Sequence, residues 1–154
     1  MNAKSLLASF KRLKGCLKVH LCPCHSQTLY SQCCQKLHEG ALPANALELM
    51  RSRYAAYALN KPDYIIQTTH PAHPEFQNDH FKWTYEISLF CRTTQFKGLD
   101  ILEFIDGSSN ASVTFHAHLY QDVQEISFVE KSVFKKLHER WLYYSGAIIK
   151  NPIT

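Results

Sequence analysis

A chain of 154 residues with 45% hydrophobic content is sized for one domain with a sizeable core and needs no disulfides to hold it. Its formal charge of +4 is uneven: Lys4, Lys11, Arg12, Lys14 and Lys18 put +5 on residues 1–21 with no acid, and +4 less +5 leaves −1 for the remainder. A general nucleic-acid-binding surface is therefore not expected on the body of the protein, and any attraction to anions belongs to the basic arm. No apolar run approaches the roughly 18 residues that a bilayer span needs. The apolar stretch Leu6 to Phe10 is also too short for a secretory core, so a cytoplasmic, reducing setting is expected.

Residues 1–20 read as a basic amphipathic arm, with Leu6, Leu7, Phe10, Leu13 and Leu17 at helical spacing. Such an arm packs on its own domain or frays; a membrane-surface helix and a transit segment are the sharper alternatives. Residues 21–40 carry four of the six cysteines. Cys22 and Cys24 form a Cys-x-Cys arm, and Cys33 and Cys34 are adjacent across a short loop. Four thiolates on two such arms converge on one tetrahedral ion, and zinc suits four sulfurs best. A site of this kind has no vacant position, so it is structural. His25 is a less well placed substitute ligand, a metal-free cluster is the bland alternative, and the Cys-x-x-Cys spacing of a redox dithiol is absent. Cys16 and Cys91 read as spare or core thiols.

Residues 41–150 form the predicted main domain. A short helix from Tyr30 to Leu37 leads out of the cysteine loop and ends at Gly40. Asn45 caps a helix to about Leu59, with Glu48 placed as in a capping box. Pro62 opens a short helix through Thr68. Thr69-His70-Pro71 and His73-Pro74 then break regular structure, and helix resumes from about Asn78 to Phe90. After that the period changes. Residues 98–105, 111–120, 125–137 and 140–149 read as strands with turns at Asp106 to Asn110 and at Asp122. Helices first and an antiparallel meander after them make an α+β domain.

One strand face carries Phe128, Glu130, Ser132 and Phe134 together. If it points inward, a carboxylate sits among aromatics and either pairs with a cation or has its protonation perturbed. Arg53 and Arg51 are the available cations. Tyr54, Tyr57, Trp83 and Tyr143 are candidate walls, and His70 is a candidate partner for acid/base work. The expected outcome is an Arg–Glu pair fixing helix against sheet, with His70 capping a turn. His116 and His118 project from one strand face, a geometry that binds metal, but no third ligand lies nearby in the sequence, so an exposed pair is expected.

The segments Cys22-Pro23-Cys24-His25-Ser26, Tyr30 to Cys34, Leu49 to Tyr57, Asp63-Tyr64, Thr69-His70-Pro71, Lys97-Gly98-Leu99, Glu130 to Phe134 and Trp141 to Gly146 resemble, in order, the YchJ-like family of SEC-C motif proteins. The resemblance covers about residues 21–146. It implies a nuclear-transport-factor-2-like fold, in which helices are laid into a curved sheet to form a cone, preceded by a zinc knuckle. His25 stands where the family motif usually has glycine, so it must tolerate a left-handed backbone at a cost of about 1 kcal/mol. Many members also carry a second knuckle at the C-terminus, which this sequence does not show.

The expected role is that of a protein-interaction or adaptor module. Similar knuckles at the end of the SecA motor engage the SecB chaperone and the ribosome. The alternative is a small-molecule site in the cone, or hydrolase-, isomerase- or dehydratase-like chemistry there with Glu130 as base.

Overall fold

The structure is a computed structural model and describes residues 19–149. The basic arm falls almost wholly on residues 1–18, outside the described residues, as does Cys16. A 3-10 turn, Tyr30–Gln32, leads into helix α1, Cys34–His38. Helices α2 (Ala46–Ala58), α3 (Pro62–Gln67) and α4 (His80–Thr93) follow. Then come strands β1 (Gln95–Ile105), β2 (Asn110–Gln121), β3 (Gln124–Glu125), β4 (Phe128–Leu137) and β5 (Arg140–Ile149).

Local chemistry sets most helix ends. The Asn45 side chain accepts the Glu48 N–H at 2.9 Å, while the Glu48 carboxylate reaches back to the Ala44 N–H, one residue before the expected box partner. Pro62 takes the first position of α3, where its missing N–H costs nothing. Helix α4 starts later and runs further than the spacing predicts. Asp79 is its cap, accepting from the Lys82 N–H at 3.0 Å, and the backbone turns extended only at Thr94.

The sheet is antiparallel in the order β1-β2-β4-β5, with β3 paired to β2. The single strand expected over residues 125–137 is interrupted at Ile126 and Ser127. The Ser127 hydroxyl accepts the Leu119 N–H at 3.0 Å, and the Ile126 N–H donates to the Leu119 carbonyl at 2.9 Å, so the chain folds around the end of β2 before β4 begins. Register shifts in β1 and at Val133/Phe134 bend the sheet. Residues His138 and Glu139, both at positive φ, close the tight turn between β4 and β5.

The concave face of this sheet receives the helices. Leu49, Met50 and Tyr54 of α2 pack on the β2 row Ala111, Val113, Phe115, Ala117 and Leu119 and on Phe134 and Trp141. The alternation on β2 is the period-2 burial that the sequence predicts. A second cluster joins Ala56, Ile65, Trp83, Ile87 and Cys91 between the helices, and burial pushes the Cys91 thiol up to about 11. The Thr69–Pro74 break is pinned to the sheet: the Tyr143 N–H donates to the Thr68 carbonyl and the His70 N–H to the Tyr143 carbonyl, both at 2.8 Å. No helix among the described residues is long and apolar enough to cross a membrane.

Candidate metal centre and cone pocket

The cysteine stretch folds as a tight hairpin. Leu21 bridges Leu29, the Cys22 N–H donates to the Thr28 carbonyl at 2.7 Å, and His25 and Gln27 take positive φ of 60° and 66°. His25 therefore does occupy a left-handed position. Cys33 ends the 3-10 turn and Cys34 opens α1, so both arms point their sulfurs inward. Sγ of Cys33 lies 3.6 Å from that of Cys24 and 3.8 Å from that of Cys34, and all four sulfurs lie within 4.8 Å of one another. A tetrahedron of thiolates around an ion at ~2.3 Å has edges of about 3.8 Å, so the donor set fits a four-coordinate metal.

The electrostatics agree with that fit. Crowded sulfurs cannot all ionise without a cation: the Cys24 thiol is held down, chiefly by the hydrogen bond of Cys34. Sharing that bond pushes Cys34 up, and burial pushes Cys22 up to about 11. A divalent ion would relieve this repulsion.

The hairpin is fused to the main domain through α2. Ala55 packs fully buried against Cys22, Cys24 and Cys34, and Arg51 donates to the Cys24 carbonyl at 3.0 Å. His38 completes the seam. Its Nε2 meets the Ser52 carbonyl at 2.8 Å and therefore donates, which leaves Nδ1 to accept from the Tyr30 hydroxyl at 2.7 Å.

Between α2, α4 and the concave sheet lies a cavity of about 720 Å³. Of the residues expected at a cone, Arg53, Tyr54, Tyr57, Trp83, Glu130 and Tyr143 line it. His70 does not. The bond of its N–H to the Tyr143 carbonyl carries it away from the cone, its ring packs on Tyr144, and its Nδ1 accepts the Ala72 N–H at 3.0 Å.

The expected Arg–Glu pair is also not formed. One terminal nitrogen of Arg53 donates to the Ile65 carbonyl at 3.0 Å and to the Thr68 and Thr69 hydroxyls at 2.7 and 3.2 Å. Its guanidinium carbon lies 4.7 Å from the centre of the Tyr143 ring. Thr68 and Thr69, at the end of α3, thus hold the charge that was expected to meet Glu130. Arg51 is equally engaged, at the knuckle.

Glu130 is held instead by two neutral donors. Its Oε1 accepts from the Ser132 hydroxyl and from the Tyr143 hydroxyl, the latter at 2.7 Å. Burial first, and the facing Glu130 charge second, push the Tyr143 hydroxyl far above its ordinary range, so it stays a donor. Gly146, paired with Ser132 across β4 and β5, makes this possible: a Cβ there would collide with the Glu130 carboxylate and the Tyr143 hydroxyl. Sequence reasoning missed Gly146 as a site residue, although a lone glycine inside a strand is the signal for such close approach. It also missed the rim residues Glu75, Gln77 and Glu86.

These features define a class: a cone-shaped α+β protein with an open apolar cavity and a four-cysteine knuckle sealed to its central helix. The family model described as "YchJ, middle NTF2-like domain" matches residues 45–146. A UPF0225 protein of Sodalis glossinidius is 40% identical over 130 residues, covering 81% of each chain, and one of Pectobacterium carotovorum is 36% identical over 84% of each. The solution structure of a SEC-C motif protein from Rhodopseudomonas palustris superposes with a TM-score of 0.72 at 33% identity, over 84% of this chain and 98% of its own. A SEC-C motif protein from Psychrobacter arcticus gives 0.67 at 25% identity, over 88% and 84%. The chain belongs to the YchJ family of SEC-C motif proteins with a nuclear-transport-factor-2-like domain.

Proposed function

We propose that this protein binds a small, largely apolar molecule in the cone through an amine or other hydrogen-bond donor directed at Glu130, and that a structural zinc holds the knuckle. The observation that carries the reading is the state of Glu130. It faces an open cavity, anchored through one oxygen by Ser132 and Tyr143 and not neutralised by an arginine. A cavity of this size, with aromatic walls and a few convergent polar groups, suits a small ligand. Its charge is directional. Glu75 and Glu130 line it together with Glu86, which pairs with Lys82, against Arg53, one terminal nitrogen of which is engaged at α3, so the excess of carboxylates favours a cationic or donor-bearing ligand over a carboxylate.

Four sulfur donors on a tetrahedral edge length support zinc over harder ions. The knuckle buries three of its cysteines against α2, which favours a stabilising role over that of a free docking module. The same carboxylate would serve a proton-abstracting reaction, but the expected partner His70 stands outside the cavity, so binding is the reading the geometry favours.

The test is an amide-NMR screen of small aromatic and alkyl amines against matched carboxylates. Amines are expected to shift Phe115, Glu130, Ser132 and Phe134. Ala117→Trp, which fills the cavity, should abolish those shifts, and Glu130→Gln should weaken amine binding by roughly tenfold or more. Lining residues that no amine perturbs, or shifts that survive Ala117→Trp, would overturn the proposal.

A further inference from the structure

The sheet face opposite the cavity carries a second constellation of ligand-type side chains. On β2, His116 and His118 point away from the buried row of Phe115 and Ala117. Across the ladder, Asp100 of β1 stands opposite His116, and Gly98 stands opposite His118. The glycine leaves the space into which the His118 ring leans; a Cβ at Gly98 would come within 3.0 Å of its Cδ2. Leaning there, His118 Nε2 lies 2.6 Å from Asp100 Oδ2, and the two imidazole centroids are 4.0 Å apart. One ligand atom from each of the three residues falls within 4.8 Å of the others.

Two imidazoles and a carboxylate converging on one point differ in kind from the four sulfurs of the knuckle. Nitrogen-rich donors select a borderline divalent transition ion, whereas calcium and magnesium ask for oxygen alone. Both histidines are half-buried and Asp100 is exposed, so the group is partly ordered by the sheet yet open to solvent. Three protein ligands also leave a coordination position for water or a further ligand, unlike the closed knuckle. We propose that Asp100, His116 and His118 form a second, open metal site on the outer face of the sheet, selective for a borderline divalent ion such as Zn²⁺, Ni²⁺ or Cu²⁺ and independent of the cysteine cluster. A surface His–Asp ion pair accounts for the 2.6 Å contact, but not for His116, directly opposite Asp100 in the ladder, bringing a ring nitrogen within 4.8 Å of the same pair.

The experiment uses the full chain with its cysteine site already loaded with zinc. Calorimetric titration with Zn²⁺ alone is expected to register one further equivalent. His116→Gln, His118→Gln and Asp100→Asn should each weaken that equivalent by about tenfold or more while leaving the first zinc in place. In the unaltered protein, the ring signals of His116 and His118 should shift together with added Zn²⁺ in NMR spectra, a readout that survives if a variant folds poorly. No uptake beyond the first equivalent, uptake undiminished in His116→Gln and Asp100→Asn, or ring signals unmoved by Zn²⁺ would overturn the proposal.

Discussion

Helix α2 stands between two regions that treat polar side chains in opposite ways. On its knuckle side, Arg51, Ser52 and Ala55 meet Cys24, His38 and the buried sulfurs, and the groups there are consumed by one another. On its cone side, Met50, Arg53, Tyr54 and Tyr57 face a cavity in which Glu130 keeps one oxygen outside its two internal hydrogen bonds. The knuckle converges its ligands and closes. The cone sets its ligand-type groups around an open volume. Closure of this kind stabilises a small hairpin that has little apolar core of its own. An open pocket is a loss of packing that a fold tolerates where it is used.

The sharpest way to break this comparison is to remove the closure. Cys24→Ser should release bound metal, measurable by elemental analysis, and lower stability by on the order of 4 kcal/mol, because the hairpin loses its staple and α2 loses its cover. Metal retained with an unchanged thermal transition would remove the distinction between the two regions. A smaller effect is expected in the cone from Gly146→Ala. The added methyl displaces the Glu130 carboxylate and the Tyr143 hydroxyl, at a cost of about 1–3 kcal/mol by chemical denaturation, and amine binding should fall with it. A variant as stable as the parent would mean that the Glu130–Tyr143 bond is not a fixed part of the fold.

The smallest effect concerns the seam between knuckle and domain. Burial first of all depresses the His38 imidazole below its ordinary range, so it is neutral when folded. The unfolded chain takes up that proton near pH 6.5, so below this value the unfolded state binds more protons and stability is lost as pH falls toward the folded value. His38→Gln should flatten this acid slope. Comparing wild type with variant isolates the effect, since acid release of any metal held by the knuckle would be common to both. Parallel slopes in melts from pH 7.5 to 5.5 would exclude His38 as the titrating group.

Much of the local architecture was legible in the chain itself, because its causes are local. The Asn45 cap, Pro62 at a helix start, the alternation along β2 and the shared face of Phe128, Glu130 and Phe134 each depend on neighbours a few residues away. The four cysteines were readable for the same reason: both arms lie within one short hairpin.

The partners of the charged groups were not readable. Glu130 meets Tyr143 and Gly146 only because β4 and β5 pair with a register shift at Val133/Phe134, and Arg53 meets Thr68 and Thr69 only because α3 returns against α2. Asp100 reaches the histidine pair across a β1 ladder with two irregularities. Each irregularity changes which side chains share a face, and residue spacing carries no record of it. Residue types and periods thus decided the cysteine site and the inward carboxylate. Strand register and helix docking, which depend on contacts distant in sequence, decided that Glu130 is held by hydroxyls, that His70 is turned away and that Asp100 joins His116 and His118.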